Sequence, residues 1–183
     1  MIRFAACSAL ALGLSMGVAL AQSQQPYAGL QERPIKALSD QQIADLKAGR
    51  GMGLALPAEL NGYPGPRHVL DLAEGLGLTA EQQARARQFF DEMAAQAIVL
   101  GERVIAGEAA LDRLFAKQAA SDESVQLAAI ELGRLQGELR GHHLRYHLAM
   151  RDLLSPHQVM RYQQLRGYQG HEGSRGHGHG EVR

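Results

Sequence analysis

Between Leu78 and Leu114 the apolar positions keep a helical period. Phe90, Met93, Ala97, Leu100, Val104, Gly107, Leu111 and Leu114 alternate spacings of three and four, which puts them on one narrow stripe of an α-helix. No proline interrupts the stretch. Thr79 and Gln82 open it as a capping box, the hydroxyl accepting a backbone N–H of the first turn while the amide reaches back to the cap's own N–H. A long helix with one apolar seam must bury that seam against a partner. The partner follows Ser121-Asp122-Glu123, a cap with acids in the first turn. Its seam is Val125, Ala128, Leu132, Leu135, Leu139, His142, Tyr146, Ala149 and Leu153. Two such helices and a short connection predict an all-α chain built on an antiparallel hairpin, Thr79–Leu153. That register puts Leu114 near Val125, Gly107 near Leu132, Ala97 near His142 and Met93 near Tyr146.

Shorter elements flank the hairpin. Gln22 to Ala37 carries Pro26 and Pro34 without periodicity and reads as an extended arm. Ser39 and Gln42 form a second capping box for a short helix, about 39–48, with Ile43 and Leu46 apolar and Gly49 as its stop. Gly49-Arg50-Gly51-Met52-Gly53 and Asn61 to Pro66 are turn clusters. The glycines lack a preceding strand and a following Lys-Ser/Thr, so they do not read as a phosphate loop. Pro66 begins a helix over Arg67–Glu74, stopped by Gly75 and Gly77. After the hairpin, Ser155-Pro156-His157-Gln158 caps a last helix carrying Val159, Tyr162 and Leu165. Gly133, Gly137 and Gly141 recur every four residues on the outer face of the second long helix, each costing about 1 kcal/mol of propensity. They read as drift in a weak helix or as a strip approached by another helix.

Composition bounds what this scaffold does. Aromatic residues are 5% with no Trp, so the core is aliphatic. Formal net charge is zero, which removes the electrostatic argument for a nucleic-acid partner. Residues 1–21 read as a signal peptide: Arg3, an apolar run over Ala5 to Val18, then Ala19-Leu20-Ala21 before a polar stretch. Cleavage there removes Cys7, the only cysteine, so disulfides and thiolate metal sites are not expected in the exported chain. No later stretch is long and apolar enough to span a bilayer. The expected organisation is signal peptide 1–21, N-terminal arm 22–65, helical domain 66–168 and a disordered His/Gly-rich tail 169–183. The serines read mostly as caps, and neither G-x-S-x-G nor H-E-x-x-H occurs, so no enzyme is expected.

The sharpest chemical signal is His143-x-x-x-His147. Residues four apart share one helix face, so both imidazoles can reach one ion. Met150 continues the stripe, and a third ligand can come from His68, a nearby acid, a second subunit or the tail histidines His171, His177 and His179. No cofactor is required, but this donor set suits a divalent transition metal: zinc, nickel, cobalt or copper. The alternative is two histidines on a solvated face. His142 reads as a hydrogen-bonded core histidine, with Glu138 one turn before it as an orienting partner.

Two pentapeptides stand out: Leu78-Thr79-Ala80-Glu81-Gln82 and Leu154-Ser155-Pro156-His157-Gln158. Each opens a helix, and the hairpin lies between them. With the export signal, this resembles the Spy/CpxP family of periplasmic LTxxQ-motif stress proteins, with its metal-linked relatives ZraP and CnrX. The second copy departs from the motif, with serine for threonine. The resemblance covers roughly Arg67 to Tyr168. It implies a homodimeric cradle in the periplasm that binds unfolded or envelope proteins as a chaperone without ATP. It also implies metal or envelope-stress sensing. The resemblance carries no catalytic residues over. A third reading is a structural coiled-coil module that pairs with a membrane sensor protein.

Overall fold

The computed structural model describes residues 26–168, and all regular structure among them is helical. The elements are α1 (Asp40–Lys47), α2 (Leu56–Glu59), α3 (Pro66–Asp71), α4 (Ala80–Ala116), α5 (Asp122–Leu153) and α6 (Pro156–Leu165), preceded by a 3₁₀ turn over Leu30–Glu32. No helix among the described residues is long and apolar enough to cross a membrane. The capping boxes at Ser39, Thr79 and Ser155 are formed as their sequences require. Ser121 makes one too, with Ser124 as its reciprocal partner.

The two long helices pack side by side, and residue numbers that rise along one fall along the other. Leu132 sits against Gly107, His142 reaches the carbonyl of Met93 at 2.9 Å, and Tyr146 stacks edge-on with Phe89. Buried seam positions are Met93, Ala97, Leu100 and Val104 on α4 and Leu132, Leu135, Leu139 and His142 on α5. Each leucine shielded in this way contributes about 1.5–3 kcal/mol. Towards the connection the seam opens: Leu111, Leu114, Val125 and Ala128 are only half-buried, and Phe115, Leu127 and Ile130 are exposed.

Two apolar clusters anchor the remaining pieces. In the first, Ile35, Leu38 and Leu46 pack on Ala97, Leu100, Val104, Leu135 and Leu139. Described residues of the stretch expected as an extended arm thus reach the core through Ile35. Their apolar positions are too few to show a period, but enough to cover the long helices. α1 crosses α4 where Gly101 leaves room for the Leu46 carbonyl, and the chain then turns at Gly49 (φ 64°) against Ala94. In the second cluster, Val69, Leu76, Leu78, Ala86, Met150, Leu154, Val159 and Tyr162 close the other end.

The two motif copies meet in that second cluster. Leu78 and Leu154 are both buried in it. Gln82 and Gln158 pair side chain to side chain, each amide nitrogen 2.9 Å from the other's oxygen. Gln82 also donates to the Leu153 carbonyl at 3.1 Å. Each glutamine thus caps its own helix and joins it to the other, which a lone capping box does not require.

Three local expectations change. α3 ends at Asp71, where Leu72 N bonds back to both His68 and Val69 carbonyls; turns, not helix, continue to Gly77 (φ 59°). α2, one turn over Leu56–Glu59 with Pro57 in its first turn, is too short to show periodicity. Gly133, Gly137 and Gly141 face open space, so no part of the described chain approaches that strip.

Candidate functional site

Along the long helices, a polar gap separates the two clusters. On α5 the order is Leu139 in the first cluster, then His143 and His147, then Met150 in the second. A cleft of about 570 Å³ opens on this gap. Its floor includes Met93, Ala94, His143 and His147, and its far wall comes from the Gly49–Gly53 turn, α2 and the start of α3. Both turn clusters that looked like punctuation in the sequence therefore build the wall.

His143 and His147 are buried, not solvated: 3% and 8% exposed. The reason is the wall, because Gly51 lies over His143 and Gly65 over His147. A methyl group on Gly65 would sit 2.9 Å from His147 Cε1 and 3.1 Å from its Nε2, so only glycine allows this approach. His147 Nδ1 lies 2.7 Å from the Tyr63 carbonyl. A carbonyl only accepts, so Nδ1 carries a proton; in the neutral ring Nε2 then presents a lone pair. His143 Nε2 is buried with no hydrogen-bond partner, the one such side-chain atom among the described residues. Burial first, then the neighbouring His142 and His147, hold His143 down at about 4. It is neutral at pH 7.

Glu59 is the centre of the wall. It is 5% exposed and receives hydrogen bonds from Tyr162 Oη, from Tyr168 Oη at 3.0 Å and from the Gly65 N–H at 3.2 Å. His68 Nδ1 lies 3.3 Å from it, Arg166 Nε 3.6 Å and His147 Nδ1 3.8 Å. Burial alone would raise the Glu59 carboxyl, but the hydrogen bonds from His68, Tyr162 and Tyr168 together outweigh it and hold it at about 2. The same contact and burial push the Tyr162 hydroxyl far up. Glu59 thus ties α2 to α3, α5 and the C-terminal segment. It also orients His68 so that Nε2 is free, the arrangement in which a carboxylate supports a ligating imidazole.

Of the residues singled out by spacing, His68, His143 and His147 line one cleft. Met150 does not join them. It is 0% exposed in the second cluster, because α3 covers α5 there with Val69. His171, His177 and His179 lie outside the described residues, as does the expected signal peptide. Leu78, Thr79, Gln82, Leu154, Ser155 and Gln158 form the motif junction and do not line the cleft. His142 is a core histidine, held by Met93 O and by Arg145 at 2.8 Å. Glu138 is not its partner, being drawn outward to Arg134 and Arg103. Glu59 escaped the spacing argument because it lies 84 residues from His143 and belongs to no motif. One signal marked it: it is the only acid between Asp45 and Asp71.

As they stand, no three His, Cys, Asp or Glu side chains among the described residues are gathered tightly enough to hold an ion. Glu59 is fully engaged, so an ion would use the three imidazoles and require the half-exposed His68 ring to swing inward.

Acid stability provides a direct check on His143. Its proton affinity is lower folded than the usual 6.5, so the unfolded chain takes up a proton first as pH falls. Stability from this group is complete above pH 6.5 and is lost down to about 4, by up to about 3 kcal/mol. Urea unfolding at stepped pH should show this loss, and His143→Leu should abolish it. An unchanged slope in the variant would mean that His143 does not set it.

Comparison with protein-family models, curated proteins and solved structures returns no match for this chain.

Proposed function

We propose that this chain is an exported, periplasmic stress protein of Spy/CpxP type that binds a divalent transition metal at His68, His143 and His147. The observation that carries this reading is the convergence of three imidazoles on one cleft, with His147 Nδ1 bonded to the Tyr63 carbonyl and His68 Nδ1 3.3 Å from the Glu59 carboxylate. Neutral imidazole donors suit zinc, nickel, cobalt or copper. The unpartnered His143 nitrogen supports it further, since an orphaned buried polar atom costs about 1–3 kcal/mol that a ligand can recover. Glu59 acts behind the ligands, orienting His68.

Titration of the full chain with Zn²⁺, Ni²⁺, Co²⁺ and Cu²⁺ tests this reading. One ion per chain should bind after residues 170–183 are removed. Affinity should fall at least about tenfold in His143→Ala and His147→Ala. Binding that disappears with the tail, or that ignores both substitutions, sinks the proposal.

A second reading has its own support. Phe115, Leu127 and Ile130 are 58%, 62% and 69% exposed near the α4–α5 connection, a concentration of large apolar side chains that suits a partner surface. We propose that these helices form the hairpin of a dimeric cradle that holds unfolded envelope proteins without ATP. Leu127→Ser/Ile130→Ser should weaken suppression of client aggregation several-fold while leaving metal binding intact. Undiminished suppression in that variant would rule the surface out.

A further inference from the structure

We propose that Asn61 is a self-modification site in the wall of the cleft: the backbone nitrogen of Gly62 displaces its side-chain amide, and water then leaves aspartate or isoaspartate in its place. The proposal stands apart from metal and client binding.

Asn61 is the only asparagine in the chain, and a glycine follows it. A side chain on the following residue hinders ring closure onto its backbone nitrogen, and glycine has none. The turn itself requires that glycine, because φ of Gly62 is 83°, in the left-handed region. Covalent geometry already keeps the two reacting atoms close. The fold has to supply a nitrogen that no acceptor holds and a side chain that is free to turn.

Both are present in the turn that joins α2 to α3. Among the described residues, every backbone N–H from Ala58 to Gly65 is bonded except that of Gly62. The N–H groups on either side of it, of Asn61 and Tyr63, both donate to the Ala58 carbonyl, at 3.1 and 3.0 Å. Asn61 is exposed, and a single contact holds its side chain, from Nδ2 to the Pro57 carbonyl at 2.7 Å. What covers Gly62 is the amide end of Gln163, a flexible side chain and not backbone.

In the first step Gly62 N bonds to Asn61 Cγ, the Cγ–Nδ2 bond breaks, and ammonia leaves with the Gly62 proton. Water opens the resulting succinimide. Attack at Cγ releases Gly62 N from it and restores the original chain path, as aspartate. Attack at the Asn61 backbone carbonyl carbon leaves the chain running through Cγ, as isoaspartate. The sum is amide plus water to acid plus ammonia, with no change of oxidation state. Either product disturbs the wall. Aspartate sets a carboxylate against the Pro57 carbonyl, two acceptors where a donor had been. Isoaspartate adds a methylene to the main chain between Glu59, the hub of the wall, and Tyr63, whose carbonyl holds His147. The cleft thus carries a one-way change driven by time and alkaline pH, with no ligand needed.

Ageing the full chain in warm alkaline buffer tests this, read by intact mass, by peptide mapping and, after return to neutral pH, by the His147 NMR signal. The mass should rise from amide to acid, isoaspartate should map to the Asn61–Gly62 bond, and the His147 signal should shift in step. Asn61→Gln, whose longer side chain needs a larger ring, should keep its mass and its His147 signal through the same treatment. A synthetic peptide spanning Leu60–Pro64 sets the reference time. No conversion of the folded chain in the time the peptide needs, conversion that persists in Asn61→Gln, or full conversion that leaves His147 unmoved each overturns the proposal.

Discussion

Glu59→Ala is expected to lower folding stability by about 3–5 kcal/mol, the usual cost of deleting one partner from a buried charged network. Removal of the carboxylate strands the hydroxyl of Tyr162, which is 0% exposed, and frees Arg166, Tyr168, His68 and the Gly65 N–H at once. A typical domain has only about 5–15 kcal/mol in total, so the variant should melt far earlier. Tyr162→Phe added to Glu59→Ala should recover part of the loss, because a phenyl ring leaves no orphaned hydroxyl. The same group has a pH signature. Its folded affinity for a proton is depressed from 4.5 to about 2, so its contribution is present above pH 4.5 and is lost as pH falls towards 2. This window lies below the His143 window, so thermal melts across pH 7 to 2 separate the two. If Glu59→Ala unfolds at the wild-type midpoint, the network does not hold the wall in place.

Glycines on the two long helices should respond to alanine with opposite signs. At Gly101 a Cβ would overlap the Leu46 carbonyl, with the carbonyl carbon 2.9 Å away and Leu46 Cα 3.2 Å away. Backbone cannot rotate aside as a side chain can, so α1 must move off α4. Gly101→Ala should therefore destabilise by about 1–3 kcal/mol, even after the helix-propensity gain of about 1 kcal/mol. The shift would also loosen the Gly49–Gly53 turn, which follows α1 directly, so ligand affinity should fall with stability. At Gly133, Gly137 and Gly141 a Cβ meets nothing within 4 Å. Alanine there should stabilise by about 1 kcal/mol per site through propensity alone. Urea midpoints of Gly101→Ala and of the triple alanine variant decide the matter. A stabilised Gly101→Ala would mean that α1 does not pack as described. A destabilised triple variant would mean that the glycine strip is covered in solution, as by a second copy of the chain.

The helices were legible because their signals are local. Thr79 with Gln82 and Ser155 with Gln158 carry their hydrogen-bond partners three residues away, and the α4 and α5 seams repeat over many turns. Part of the register followed from the same seams: Gly107 meets Leu132, whereas His142 reaches Met93 and Tyr146 meets Phe89, each four residues from the Ala97 and Met93 expected. His68, His143 and His147 could be picked out by residue type and spacing. Their environment could not, because burial of His143 depends on where the Gly49–Gly53 turn lands, and nothing nearby in the chain encodes that landing. Met150 shows the same limit: it shares the histidines' stripe, yet α3 covers it.

Residue pattern alone determined an all-helical chain, its two long helices, their caps and their facing seams, since each rests on interactions within a few residues or on a long repeat. Only the tertiary structure decided that the segment before α3 is core and wall, that Glu59 is its hub, and that three imidazoles share a cleft. Those features join residues from 9 to more than 100 positions apart, as His68 and Tyr162 both meet Glu59. Contacts at such separations follow from which surfaces remain to be covered once the helices have packed, not from any period in the chain.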